Sequence, residues 1–226
     1  MKKLVFVDKR NIGCDPEFFF EKENKVVPSG EVPGINTYDD TVVEDGFQDV
    51  KKLVTVMDIV LGNTCVLIDR DPDNARRRKN YGRAGEYRIK RYGMEYRVPS
   101  NFWLKHYALF SMVSQLGRNS IDIYKQGMAD ELISRFSMVK VRKAINDNDF
   151  ELAKENFQIL MQFIKDNKAE GNGLACVRID TMYTWLTCKD PMKVLGGDSI
   201  DNSMASWEEI YYEDPEDVRG FESTIY

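Results

Sequence analysis

The sequence predicts an α+β fold, a small antiparallel or mixed sheet with helices on one face. Three observations predict it. Short apolar and aromatic runs separated by turn residues crowd the first hundred positions. Apolar residues at helical spacing dominate the chain beyond them. The 226 residues, 42% hydrophobic and 12% aromatic, hold ample material for one core. We expect a domain over 1–190, sheet-rich in 1–100 and helical in 101–190, then an acidic tail over 191–226.

Each element has its own signal. "KLVFVD" reads as a short apolar strand, and "DPEFFF" as a largely buried aromatic one. "VVPSGEVPG" is turn material, with two prolines and two glycines, and "DTVVED" is a strand. "FQDVKKLVTVMDIVLG" places Phe47, Val50, Leu53, Val54, Met57 and Leu61 at helical spacing, with Gly62 suited to the helix end. "TCVLID" comes next as a strand. "SNFWLKHYALFSMVSQLG" opens on a Ser/Asn cap, closes on glycine and reads as a helix. Residues 119–145 are expected to be helical. "NDFELAKENFQILMQFIKDN" sets Leu152, Phe157, Leu160, Met161 and Ile164 on one side of a helix.

Composition removes several classes of chemistry. No apolar run approaches the roughly 20 residues a membrane helix needs. Asp8, Lys9 and Arg10 interrupt the opening "MKKLVFVDKR" too early for a signal peptide, so a cytoplasmic location is expected. Cys14, Cys65, Cys176 and Cys188 show no C-x-x-C spacing and read as reduced, buried thiols. The one histidine, His106, excludes multi-histidine zinc sites within the chain. It falls in a run that reads as the apolar face of a helix, where a lone histidine is structural. A metal here would be a hard cation on carboxylates, Mg²⁺ or Mn²⁺.

Charge is uneven along the chain. The net charge is -5, yet Arg76 to Arg91 holds eight Lys/Arg against the single acid Glu86. Asp198 to Glu222 holds nine acids against Arg219, a solvated segment by composition. The basic stretch has two readings. Arginine forks bind phosphate bidentately, and Gly82, Gly85 and Gly93 permit close backbone approach, which suits a triphosphate cradle. Arginines interleaved with tyrosines also suit nucleic acid. Within "MEYRVPSNFW", Glu95 and Arg97 lie two apart, so a strand puts both on one face. Glu17 in "GCDPEFFF", Glu44 in "DDTVVED" and Glu95 in "GMEYR" are three strand carboxylates of the kind that can hold Mg²⁺ around phosphates.

"LGNTCVLIDRDPDNARRRKNYGRAGEYRIKRYGMEYRVPSNFW" closely resembles a signature of phage-encoded amidoligases, carboxylate–amine ligases with a glutamine-synthetase-like fold. "GCDPEFFF" and "YDDTVVED" resemble the family's first-strand and Asp-Asn-x-x-x-Glu motifs, with Asp40 in place of the asparagine. The resemblance implies Glu17, Glu44 and Glu95 as metal ligands for Mg²⁺ or Mn²⁺. It implies Arg83, Arg88 and Arg97 on ATP or acyl-phosphate oxygens, with Arg88 and Arg97 also catalytic. The implied substrates are small-molecule or peptide carboxylates and amines, joined through an acyl phosphate in the cytoplasm of a phage-infected host cell. Family members usually carry further strands, including a "GGHIHIG"-like stretch, between the second motif and the "LG" segment. Here 17 residues separate Glu44 from Gly62, so the resemblance is to a shortened member with an incomplete sheet. The reading from another class is a non-catalytic phage protein that uses segment 76–91 to bind nucleic acid or a protein partner.

Overall fold

The computed structural model describes residues 19–22, 25–28, 49–71, 73–90, 93–167 and 185–194. The expected strands "KLVFVD" and "DTVVED", and the acidic tail beyond Val194, lie outside them. The described chain is α+β, mostly helical with two small antiparallel hairpins. In the first, β1 (Phe19–Lys22) pairs with β2 (Lys25–Pro28), Phe19 opposite Pro28 and Lys22 opposite Lys25. The start of the expected "VVPSGEVPG" turn is therefore strand. Val26 and Val27 are β-branched and favour extended backbone, and Pro28 stands at the strand end, where a missing donor does least harm.

A buried helical rod organises the rest. Helix α1 (Val50–Met57) passes into a π-helical segment, Asp58–Gly62, and directly into α2 (Asn63–Ile68). Asp49 caps its start by accepting the Lys52 N–H at 3.1 Å. Every residue from Val56 to Asp69 is buried. This corrects the strand expected at "TCVLID". A run buried on all sides shows no amphipathic period, so apolarity alone does not separate strand from helix. Gly62 does not end the helix either. A Cβ there would meet Tyr96 Oη and Ile145 Cδ1, so glycine is present for close packing.

After α3 (Asp73–Arg77) the chain forms the hairpin of β3 (Tyr87–Lys90) and β4 (Gly93–Tyr96), and then a 3₁₀ turn, Phe102–Lys105. The expected helix over "SNFWLKHYALFSMVSQLG" is split. His106 is extended, and its Nδ1 caps α4 (Tyr107–Lys125) by accepting the Ala108 N–H at 3.1 Å. Its role is structural, at a helix start rather than on an apolar face. Gly117 is buried inside α4 and does not terminate it. Helices α5 (Ala129–Ser134), α6 (Met138–Asn146) and α7 (Phe150–Asp166) complete the layer, and α4, α6 and α7 all pack on the rod. A short α8 (Pro191–Val194) lies beyond them.

Three arginines are internal struts. Arg70 donates to the carbonyls of Leu67, Leu186, Cys188 and Lys189 and lies 4.3 Å over the Phe150 ring, fastening the segment before α8 to the rod. Arg77 donates to the Val98 and Pro99 carbonyls, both at 3.1 Å, and a Cβ at Gly82 would strike its guanidinium. Arg78 is 1% exposed and donates to the Ile145 carbonyl and to Asn148 Oδ1 at 2.7 Å. Burial pulls its pKa below the ordinary arginine value, with the nearby Asp69 carboxylate opposing. Asn148 takes φ 52° at the α6–α7 turn, a left-handed conformation asparagine tolerates. No helix among the described residues is long and apolar enough to cross a membrane.

Candidate active site

Hairpin β3–β4 sorts its side chains by strand period. Met94 and Tyr96 are buried, and Glu95 and Arg97 project from the other face. The sequence expectation that Glu95 and Arg97 share a face therefore holds in geometry. Arg97 Nε lies 3.1 Å from Glu95 Oε1. The register sets Arg88 directly opposite Glu95, and Arg88 Nε donates to Glu95 Oε2 at 2.7 Å while Nη2 lies 2.5 Å from the same oxygen. Glu95, with its side chain 12% exposed, is thus bracketed by two guanidiniums. Arg97 also donates to Tyr81 Oη at 3.1 Å and lies 4.3 Å over the Tyr81 ring. A planar fork held by an aromatic face and two acceptors is fixed in orientation, which a lysine would not be.

The glycine-rich loop stands beside this cluster. Gly82 and Gly85 take φ of 79° and 80°, which side-chain-bearing residues rarely adopt. Four successive backbone N–H groups of the loop point at side-chain oxygens. Gly82 and Arg83 both donate to Glu86 Oε2, at 2.5 and 3.0 Å. Ala84 donates to Asn146 Oδ1 at 2.8 Å, and Gly85 to Asp58 Oδ1 at 3.0 Å. Glu86 also faces Arg97, with Oε1 3.7 Å from Nη1. The Arg83 side chain is exposed.

Asp58 ties the loop to the core. It is 2% exposed at the start of the π segment and accepts from Tyr96 Oη at 2.7 Å as well as from Gly85. Burial pushes its pKa up to about 6, although both hydrogen bonds and the Arg142 charge pull the other way. The same burial, with the Asp58 charge beside it, raises the Tyr96 phenol well above its usual value. A π-helical turn widens the helix by one residue and often marks a functional position. Here it coincides with a carboxylate that holds both the glycine loop and the strand carrying Glu95. Ser100 Oγ, just beyond the hairpin, donates to Asp69 Oδ2 at 2.5 Å and so anchors the other end of the site to the rod.

Of the residues singled out in the sequence, the structure brings together Glu95, Arg97 and Arg88, with Arg83 on the adjoining loop. Glu17 and Glu44 lie outside the described residues. Among the described residues no three His, Cys, Asp or Glu side chains converge as a metal cage. Sequence reasoning missed Tyr81, Glu86, Asp58 and Tyr96. Glu86 had a signal, as the single acid inside a basic run, and so did Asp58, an acid inside the apolar "VTVMDIVLG".

Glycine loop and hairpin together set two guanidiniums around the Glu95 carboxylate, in a stretch whose sequence matches a carboxylate–amine ligase family. Residues 45–169, more than half of the chain, match the model of the family described as "Phage phiEco32-like COOH.NH2 ligase-type 2", and the chain belongs to that family. The matched span contains Asp58, Arg83, Glu86, Arg88, Glu95 and Arg97. No curated relative and no solved structure matches the chain.

Proposed function

We propose that the chain is an ATP-dependent carboxylate–amine ligase working through an acyl phosphate. The observation that carries this is the bracketing of Glu95 by Arg88 and Arg97 within the family match. The chemistry of the groups supports this reading: Glu95 is one hard oxygen ligand of the kind Mg²⁺ takes, and guanidiniums such as those beside it can bind oxyanions bidentately. When bound, Mg-ATP supplies a phosphoryl group that activates the substrate carboxylate, and an amine then displaces phosphate to leave an amide.

This chain's residues do the holding. Glu95 offers its carboxylate to the cation, joined by Glu17 and Glu44 as the family resemblance implies. A cation held by Glu95 would take up the oxygens that Arg88 and Arg97 now meet, and would leave the two guanidiniums available to phosphate. Arg83 adds a third positive charge from the loop. In phosphoryl transfer, positioning and charge neutralisation of this kind supply most of the catalysis. The basic run supports this reading over nucleic-acid binding in one respect. Arg77 and Arg78 are turned inward as struts and are not displayed for a backbone of phosphates.

Calorimetric titration with Mg-ATP and with single-stranded nucleic acid tests the proposal. Arg97→Lys is expected to weaken Mg-ATP binding about tenfold or more, the loss of one charge-assisted hydrogen bond. Glu95→Gln is expected to weaken the Mg²⁺ dependence, and Arg76→Lys and Lys79→Arg to change little. Equal, salt-steep losses on nucleic acid for every basic substitution, with no nucleotide binding, would overturn the ligase reading.

A further inference from the structure

The Glu86 carboxylate meets three donors from its own loop and the neighbouring strand end. One oxygen receives two successive backbone N–H groups, those of Gly82 and Arg83, and the other faces the Arg97 guanidinium. Successive amides made concave by a left-handed residue form an anion-binding nest, and Gly82 at φ 79° supplies that residue. Two amides and an arginine are what a phosphate oxygen requires. Glu86 reaches this position from four and three residues downstream of its amide donors, so it is tethered beside the nest and can leave it by side-chain rotation alone. Its side chain is 28% exposed, so solvent can receive it.

We propose that the Gly82 and Arg83 amides, with the Arg97 guanidinium, form an oxyanion site that Glu86 occupies as an internal plug until a phosphate group displaces it. The ligand class is a phosphate oxyanion, carried by a nucleotide or released as inorganic phosphate. The choice of phosphate rests on the nucleotide reading of the neighbouring cluster. The plug does not rest on that reading, because its contacts are intramolecular. Displacement exchanges one anion for another at the nest and delivers the Glu86 charge to solvent.

The test uses the full ¹⁵N-labelled chain and inorganic phosphate, observed at the Gly82 and Arg83 amide resonances. Glu86→Gln keeps the shape of the plug and removes its charge, and Glu86→Asp keeps the charge and shortens the reach. If the wild-type plug is out in about one molecule in ten, removing its competition tightens the apparent phosphate Kd about tenfold. Both variants are expected to tighten binding, and adding Arg97→Ala to Glu86→Gln is expected to reverse the gain. Affinity unchanged or weaker in both variants for inorganic phosphate and for Mg-ATP alike, or shifts absent from the two amides, would show Glu86 to be a loop strut and overturn the proposal.

Mg-ATP titrations of the same proteins separate the two phosphate sources and the two claims. A tighter phosphate response limited to the nucleotide assigns the site to ATP, and a response to inorganic phosphate as well assigns it to either source. Wild-type Mg-ATP binding that is lost in Arg97→Lys, with no tightening in the Glu86 variants, would leave the ligase reading standing and sink the plug. Tightening toward phosphate with no nucleotide binding would do the reverse.

Discussion

Replacing Asp58 with asparagine should change how the protein's stability depends on pH, by an amount the site geometry sets. The folded-state pKa of about 6 lies above the ordinary 3.8 because burial penalises the charged form. The unfolded chain therefore releases its proton first as pH rises. Stability from this group is complete below about 3.8 and is lost as pH rises through about 6. Over the whole titration the loss is roughly 3 kcal/mol. The asparagine of Asp58→Asn does not titrate, and its carbonyl can still accept from Tyr96 Oη and the Gly85 N–H. Its second amide hydrogen adds a buried donor, which costs the variant about 1–3 kcal/mol at every pH if it finds no acceptor. That offset is constant, so the informative quantity is the difference between variant and wild type as a function of pH. Urea unfolding at intervals from pH 4 to pH 7.5 should show this difference moving in the variant's favour by roughly 2–3 kcal/mol, with most of the change between pH 4 and 6.5. All other carboxylates titrate in both proteins and cancel. A difference constant with pH, in a variant whose circular dichroism matches wild type, would mean that Asp58 is not the buried titrating group and would refute the reasoning.

Gly62→Ala tests the contact between rod and hairpin. The new methyl would displace Tyr96 Oη from Asp58, so a loss of about 1–3 kcal/mol is expected in urea unfolding, against about 1 kcal/mol gained in an open helix position. A net gain would show that Tyr96 yields freely. Asp149→Ala removes the acceptor for the Leu152 N–H at the start of α7 and should cost about 1 kcal/mol in the same assay. Removal of the cap with no loss would mean that solvent serves the α7 donors as well.

The local sequence determined the working face of the hairpin. A strand period of two puts Glu95 and Arg97 together wherever the strand forms, and two glycines separated by Arg83 and Ala84 give the loop its left-handed turns. The amphipathic stripe of α7 was equally legible, because one wet face leaves a helical period in the sequence. Tertiary structure decided whatever is buried on every side. "TCVLID" is helix and not strand because the rod is enclosed by α4, α6 and α7, and enclosure erases the period that would have told them apart. Carbonyls from distant parts of the chain, those of Val98 and Pro99 for Arg77 and that of Ile145 for Arg78, turn these members of a basic run into struts, a change that net charge along the chain cannot reveal. Asp58 reads in sequence as an acid misplaced in an apolar helix. Only the approach of Gly85 and Tyr96 makes it the joint between loop, strand and core, since a buried carboxylate is tolerable only where donors from elsewhere in the chain meet it.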